Sequence, residues 1–242
     1  LATILCSNKS SNLYLKYLLS IILISIISLL LIKQPDIGQT LLVIFSWAVV
    51  IFTSGINIFF LLGFSLFVIV FITYLVIFVP RFDYIYGRIF SFFNRDSGTH
   101  NFQSDKAIES ITSGGFFGKG IGEGTLKSRV PEAHTDYIIS VISEEFGVVA
   151  IILILLLFLI LIYMVFKKIN YEKNEKIKLI LIGCVSLILM QATIHIGVNI
   201  RLLPTTGMTL PFLSYGGSSI VSISILSGMI LNLTKRKINQ QT

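Results

Sequence analysis

VVAIILILLLFLILIYMVF, residues 148–166, holds no charged side chain, no glycine and no proline. Wound into a helix at about 1.5 Å per residue, it matches the hydrocarbon thickness of a bilayer. Working outward, the apolar run reaches back to Tyr137, so a helix over residues 137–166 is over-long and sets Glu144 and Glu145 at or above the headgroups. Downstream, a segment with five lysines and two glutamates, residues 167–178, separates it from a second apolar run at 179–200. A third run covers 211–233. Upstream, residues 13–32 form another, ended by Lys33-Gln34-Pro35-Asp36. The apolar stretch 41–79 exceeds one crossing and is punctuated by Thr53-Ser54-Gly55-Ile56-Asn57. It divides into a short helix at 40–52 and a full one at 58–79.

Six spanning helices therefore define an all-α, polytopic transmembrane bundle. Composition agrees: of 242 residues, 54% are apolar and 13% charged, with mean hydropathy +0.87. This excludes a secreted mini-domain, a disordered tail and a nucleic-acid binder. The net charge of +7 is topological. Lys9 and Lys16, the 167–178 segment, and Lys235-Arg236-Lys237 all fall on one side of six crossings, which marks that side as cytoplasmic. The expected order is a cytoplasmic segment at 1–12, three transmembrane helices within 13–80, an extracytoplasmic loop at 81–136, three more helices within 137–233 and a cytoplasmic tail at 234–242. Seven basic and seven acidic residues balance in the loop. Cys6 and Cys184 lie too far apart in sequence to frame a disulfide scaffold. The chain starts at Leu1 without a signal-peptide pattern, so a missing or processed amino-terminal part is expected.

Four stretches carry polar chemistry. Gly114-Gly115-Phe116-Phe117-Gly118-Lys119-Gly120-Ile121-Gly122-Glu123-Gly124 lacks the spacing of a phosphate loop; it reads either as tight turns or as bare backbone approaching a ligand. In Val130-Pro131-Glu132-Ala133-His134-Thr135-Asp136-Tyr137, Thr135 or Asp136 is placed to cap the following helix. A cap does not account for Glu132, His134, Thr135 and Asp136 together beside Lys127 and Arg129, a grouping suited to moving a proton next to an anion. Gln191, His195 and Asn199 recur every fourth residue and share one helix face. They form either an interhelical hydrogen-bond seam or the polar wall of a cavity. Finally, residues 201–219, RLLPTTGMTLPFLSYGGSS, combine prolines and glycines into a re-entrant or broken helix. Its Arg201, Thr205, Ser214 and Ser218 are candidates to line an opening for a lipid headgroup.

These motifs carry a resemblance. Glu132-Ala133-His134-Thr135-Asp136, Glu144-Glu145-Phe146-Gly147, Leu203-Pro204-Thr205-Thr206-Gly207 and Ser214-Tyr215-Gly216-Gly217-Ser218-Ser219, with Gln34-Pro35-Asp36-Ile37-Gly38-Gln39-Thr40, resemble the shape, elongation, division and sporulation (SEDS) family. Residues 102–109, FQSDKAIE, are more similar to its division branch, FtsW, than to its elongation branch, RodA. Family members have about ten spanning helices with both ends cytoplasmic, and essentially the whole chain resembles the last six. The resemblance implies a peptidoglycan glycosyltransferase that polymerises lipid II and releases undecaprenyl pyrophosphate, in the inner membrane at the division septum. It implies partnership with a class B penicillin-binding transpeptidase and other division membrane proteins, and no nucleic acid. Asp136 takes the position of the family's essential outer-loop aspartate, expected to accept the proton of the attacking sugar hydroxyl. Lys119, Lys127, Arg129 and Arg201 are the candidate phosphate cations. Glu132 and His134 would tune Asp136 or bind a divalent ion; no cofactor is otherwise evident. A lipid II flippase and a non-catalytic division scaffold are the competing expectations, as is an inactive fragment.

Overall fold

A computed structural model describes residues 1–6, 13–34, 36–93, 99–124 and 132–235. The elements are α1 (Ala2–Leu5), α2 (Leu13–Lys33), α3 (Ile37–Thr53), α4 (Ile58–Phe78), a 3-10 turn (Pro80–Phe82), α5 (Asp83–Phe93), α6 (Thr99–Gly114), α7 (Ile138–Tyr171), α8 (Glu175–Asn199) and α9 (Gly217–Thr234). Among the described residues there is no strand. By length and composition α2, α7, α8 and α9 each suffice to cross a membrane, and α4 adds a continuous helix of 21 residues. The short helix α3 starts at Ile37, earlier than its apolar run, because the Asp36 carboxylate accepts the Gln39 N–H at 2.9 Å and caps it. The last helix starts later than its apolar run: residues 211–216 are turn and extended chain, and α9 begins only at Gly217.

The bundle is organised around α8. Of its spanning window 56% is buried, against 11% for α7 and for α9, so α8 is the central helix and its neighbours turn apolar faces outward. Leu181, Cys184, Val185 and Ile188 pack with Val165 and Ile169 of α7 and Ile223 and Ile230 of α9. In lipid such packing, with hydrogen bonds, replaces transfer from water as the force that holds helices together.

The segment 81–136 departs from the expectation of a loop. It holds the 3-10 turn, α5 and α6, and α6 is part of the core. Ala107 is fully buried with Leu42, Tyr137, Ile194, Val198 and Met208, while Ser104 and Ser110 are buried beside it. Small side chains on one face of an otherwise polar helix let it wedge between α3, α8 and the start of α7.

The glycine-rich stretch after α6 docks on a break in α7. Gly147 has φ 77° and ψ −175°, which interrupts the helical ladder there. The Glu144 and Glu145 carbonyls, which would accept from residues 148 and 149 in an unbroken helix, accept instead from the N–H groups of Lys119 (2.9 Å) and Gly120 (3.1 Å). The released N–H groups of Val148 and Val149 donate to the carbonyls of Gly115 (3.0 Å) and Phe116 (3.3 Å). The partner of the bare backbone is thus another backbone. Contact this close excludes side chains: a Cβ on Gly118 would lie 2.2 Å from the Glu145 carbonyl oxygen, and one on Gly147 2.2 Å from that of Phe116. Beneath the strap, Glu144 is fully buried; the Ser110 hydroxyl donates to it at 3.1 Å and the Lys119 ammonium stands 3.5 Å away.

Candidate active site at the start of α7

Residues 132–137 form a turn that opens on Glu132, at φ 55°, whose carbonyl accepts the N–H groups of Thr135 and Asp136 at 3.1 Å each. The expected cap is absent: α7 begins after Tyr137 with no side-chain capping bond, and the Thr135 hydroxyl turns back to Glu132. The turn is held from outside. The carbonyl of His134 accepts from the Tyr215 N–H at 3.0 Å, that of Thr135 from the Ser214 hydroxyl at 2.7 Å, and that of Asp136 from the Asn199 amide at 2.9 Å. Three consecutive carbonyls are therefore fixed by α8 and the segment before α9, and the Asp136 side chain is left for other work.

The polar face of α8 makes this scaffold. Gln191 donates to the Thr209 carbonyl at 2.9 Å and to the Ser219 hydroxyl at 3.1 Å. His195 Nδ1 lies 2.7 Å from the Met208 carbonyl, a geometry that requires Nδ1 to carry the proton and donate. Asn199 donates to Asp136 and to the His195 carbonyl, 2.9 Å each. All three side chains are buried and none lines the cavity beside Asp136. The cavity-lining expectation for Gln191, His195 and Asn199 is corrected: they are a seam that ties the broken segment to the bundle, because its open backbone needs partners at this depth.

The Asp136 carboxyl faces a cavity of about 330 Å³ lined with Arg88, Gln103, Tyr137, Thr205 and Gly207. Burial, the largest cause, and the nearby Glu132 charge raise its pKa above 3.8; the Thr135 hydroxyl and the Arg88 charge pull it down. A partly desolvated carboxyl whose pKa has moved upward is a better proton acceptor than a fully solvated one. Beside this space lies a second, apolar cleft of about 210 Å³, walled by Ile32, Leu41, Val76 and Ile85, and Arg88 and Thr205 border both.

Of the other residues singled out by sequence, Thr205 reaches the cavity. Glu132 and His134 are exposed and Thr135 is half-buried. Ser214 is buried and accepts the Leu210 N–H at 2.8 Å, which makes it a brace of the turn. Ser218 is exposed in the first turn of α9. Lys119 is committed to Glu144, and Arg201 pairs with Asp105 of α6; neither borders the cavity. Lys127 and Arg129 lie outside the described residues, among which no three His, Cys, Asp or Glu side chains are grouped to hold a metal ion. Sequence reasoning missed Arg88 and Gln103. The available signal was a lone arginine within an aromatic stretch, DYIYGRIFSFF, directly after a spanning helix.

The chain matches the FtsW/RodA/SpoVE family of cell cycle proteins over residues 1–239. It is a member of the SEDS family. Among SEDS relatives it is 35% identical to the probable peptidoglycan glycosyltransferase FtsW of Caulobacter vibrioides over 86% of this chain and 52% of that one. To the Enterococcus hirae protein of the same name it is 31% identical, over 91% and 59%. Among solved structures, a chain from a peptidoglycan synthase complex that coordinates polymerization and crosslinking superposes with TM-score 0.73 at 27% identity, covering 90% of this chain and 61% of that one. An alanine-for-aspartate mutant of the Thermus thermophilus rod shape determining protein RodA gives TM-score 0.62 at 27% identity, with 96% and 60% covered. The chain spans about half to three-fifths of the length of the relatives it matches.

Proposed function

We propose that this SEDS chain carries the catalytic portion of a peptidoglycan glycosyltransferase that polymerises lipid II during division, with Asp136 as general base. The observation that carries this reading is the release of the Asp136 carboxyl from any capping role: its turn is fixed through backbone carbonyls, and the side chain faces the polar cavity in a desolvated setting. In the reaction, the acceptor sugar hydroxyl attacks the donor's anomeric carbon and its proton passes to Asp136. The bond from that carbon to the diphosphate oxygen breaks, the diphosphate leaves with the electron pair, and the configuration inverts. The apolar cleft, which shares Arg88 and Thr205 with the polar cavity, suits the isoprenyl tail of a lipid-linked donor. The relatives' name, probable peptidoglycan glycosyltransferase, supports glycosyl transfer as the reaction. A class B penicillin-binding protein is the crosslinking partner we assign, in the inner membrane, with the Asp136 end of the bundle outside.

The test is Asp136→Asn in the natural full-length protein together with its partner. The scaffold contact of Asn199 is to the Asp136 backbone, so the variant keeps its fold and melting temperature while lipid II polymerisation falls by about 100- to 10,000-fold. Polymerisation at the normal rate would remove Asp136 from the chemistry, and loss of transbilayer lipid movement with polymerisation intact would favour a transporter.

A further inference from the structure

A lipid-linked diphosphosugar has three zones in fixed order: an apolar tail, a dianionic diphosphate, and a polar sugar. A site that reads such a molecule must present an apolar slot, a cation and a polar slot in the same order. The two cavities beside Asp136 do so. The apolar cleft lies between the ends of α2, α3 and α4 and the inner face of α5, the polar cavity holds Asp136, and Arg88 borders both. Among the described residues, Arg88 is the only basic side chain that lines either space.

Resting on the reading given above, we propose that Arg88 holds the diphosphate of the lipid-linked donor at the junction of the two cavities and thereby sets the register of the anomeric carbon against Asp136. Three further observations support it. The guanidinium is oriented: one of its nitrogens donates to the Thr205 carbonyl at 3.2 Å, and Thr205 is the other residue common to both cavities. An arginine fixed in plane is suited to fork-like contact with phosphate oxygens. The depth is appropriate, because α5 exposes Tyr86, stacked on Phe90 at 5.8 Å, and a tyrosine, apolar in its ring and polar at its hydroxyl, is suited to headgroup level. Lys119 and Arg201, the other described cations near this end of the bundle, line neither cavity. Arg88 also acts on Asp136 from this position, since its charge lowers the carboxyl's pKa. A bound diphosphate offsets that charge and leaves Asp136 a stronger base at the moment the donor is in place.

The experiment is ligand binding to the natural full-length protein in zwitterionic phosphatidylcholine nanodiscs, with farnesyl diphosphate, farnesol and inorganic pyrophosphate as probes. Wild-type protein binds farnesyl diphosphate about 10- to 100-fold more tightly than farnesol, the range expected for hydrogen bonds to a charged group. Arg88→Gln loses that preference while its affinity for farnesol is unchanged, and Arg88→Lys retains part of it. In wild-type protein, where folding is not at issue, farnesyl diphosphate protects Arg88 from phenylglyoxal modification and farnesol does not. A preference that survives Arg88→Gln, or equal modification with both probes, overturns the role of Arg88 and leaves the glycosyltransferase reading standing. Inorganic pyrophosphate binding as tightly as farnesyl diphosphate would make this a site for the free anion and overturn the junction. If neither farnesyl probe binds wild-type protein, the lipid-linked substrate itself falls.

Discussion

At the scale of the residue, Asp136 makes a prediction whose sign follows from its surroundings. Burial and Glu132 raise its pKa above 3.8, while Thr135 and Arg88 oppose them. A carboxyl whose folded pKa exceeds its unfolded value favours the folded state below the unfolded pKa, and that contribution is lost as pH rises through the folded one. Catalysis runs the other way, because a base must be ionised before it accepts a proton. Polymerisation should therefore rise with pH along an acid limb whose midpoint lies above 3.8. Glu132→Gln removes a raising charge and should move the limb of kcat/KM down; Arg88→Gln removes a lowering charge and should move it up. Opposite displacements of one limb identify Asp136 as the titrating base, and a limb indifferent to both variants assigns the titration to another group. The polar grouping of Glu132, His134, Thr135 and Asp136 was legible in the sequence as more than a cap needs, and the resemblance to the SEDS family singled out Asp136 within it. Arg88 was not legible, since a lone arginine among aromatics at a helix end has the same appearance as a charge facing lipid headgroups.

At the scale of the element, the strap at residues 114–124 and the break in α7 depend on each other. Four backbone hydrogen bonds join them, and a buried backbone group left without its partner costs about 1–3 kcal/mol. Gly147→Ala places a methyl 2.2 Å from the Phe116 carbonyl oxygen at φ +77°. Left-handed strain and overpacking together amount to about 2–6 kcal/mol. Gly228, in the exposed middle of α9, meets nothing within 4 Å, so Gly228→Ala should leave stability within about 1 kcal/mol of the parent. Thermal unfolding followed by tryptophan fluorescence should show a large fall in Tm for Gly147→Ala and a small change for Gly228→Ala. Equal melting temperatures would mean that the strap does not hold the break. The spanning helices were readable because a bilayer imposes a minimum apolar length that any sequence must display. The core helix α6 obeys no such rule: its sequence THNFQSDKAIESITSG is polar, and the residues it buries, Ser104, Ala107, Ser110 and Gly114, are all small. Nor does pairing between backbones leave a periodic trace, so the glycines signalled close approach without naming the helix they approach.

At the scale of the whole molecule, one distance fixes how the bundle stands in the membrane. From the break at Gly147 to the first basic residue, Lys167, α7 rises about 30 Å at 1.5 Å per residue, the thickness of a hydrocarbon core. The strap, with Glu144 and Glu145, therefore lies at one face of the bilayer and the 167–178 segment at the other. The buried end of the site belongs to the strap's face, since α6 and the start of α7 build both. On the proposed reading, the lysine excess in 167–178 assigns the opposite face to the cytoplasm and the Asp136 end of the bundle to the outside. Glu123 in the strap and Lys173 between α7 and α8 are both exposed, and of the native cysteines Cys184 is buried while Cys6 is half-buried. In a Cys6→Ser background of the natural full-length protein, Glu123→Cys should react with a membrane-impermeant maleimide added to intact cells stripped of their outer barrier. Lys173→Cys should react only after the membrane is opened. Labelling in the reverse pattern would place Asp136 on the cytoplasmic side, and a glycosyltransferase building wall outside the cell would then have its base on the wrong side of the bilayer.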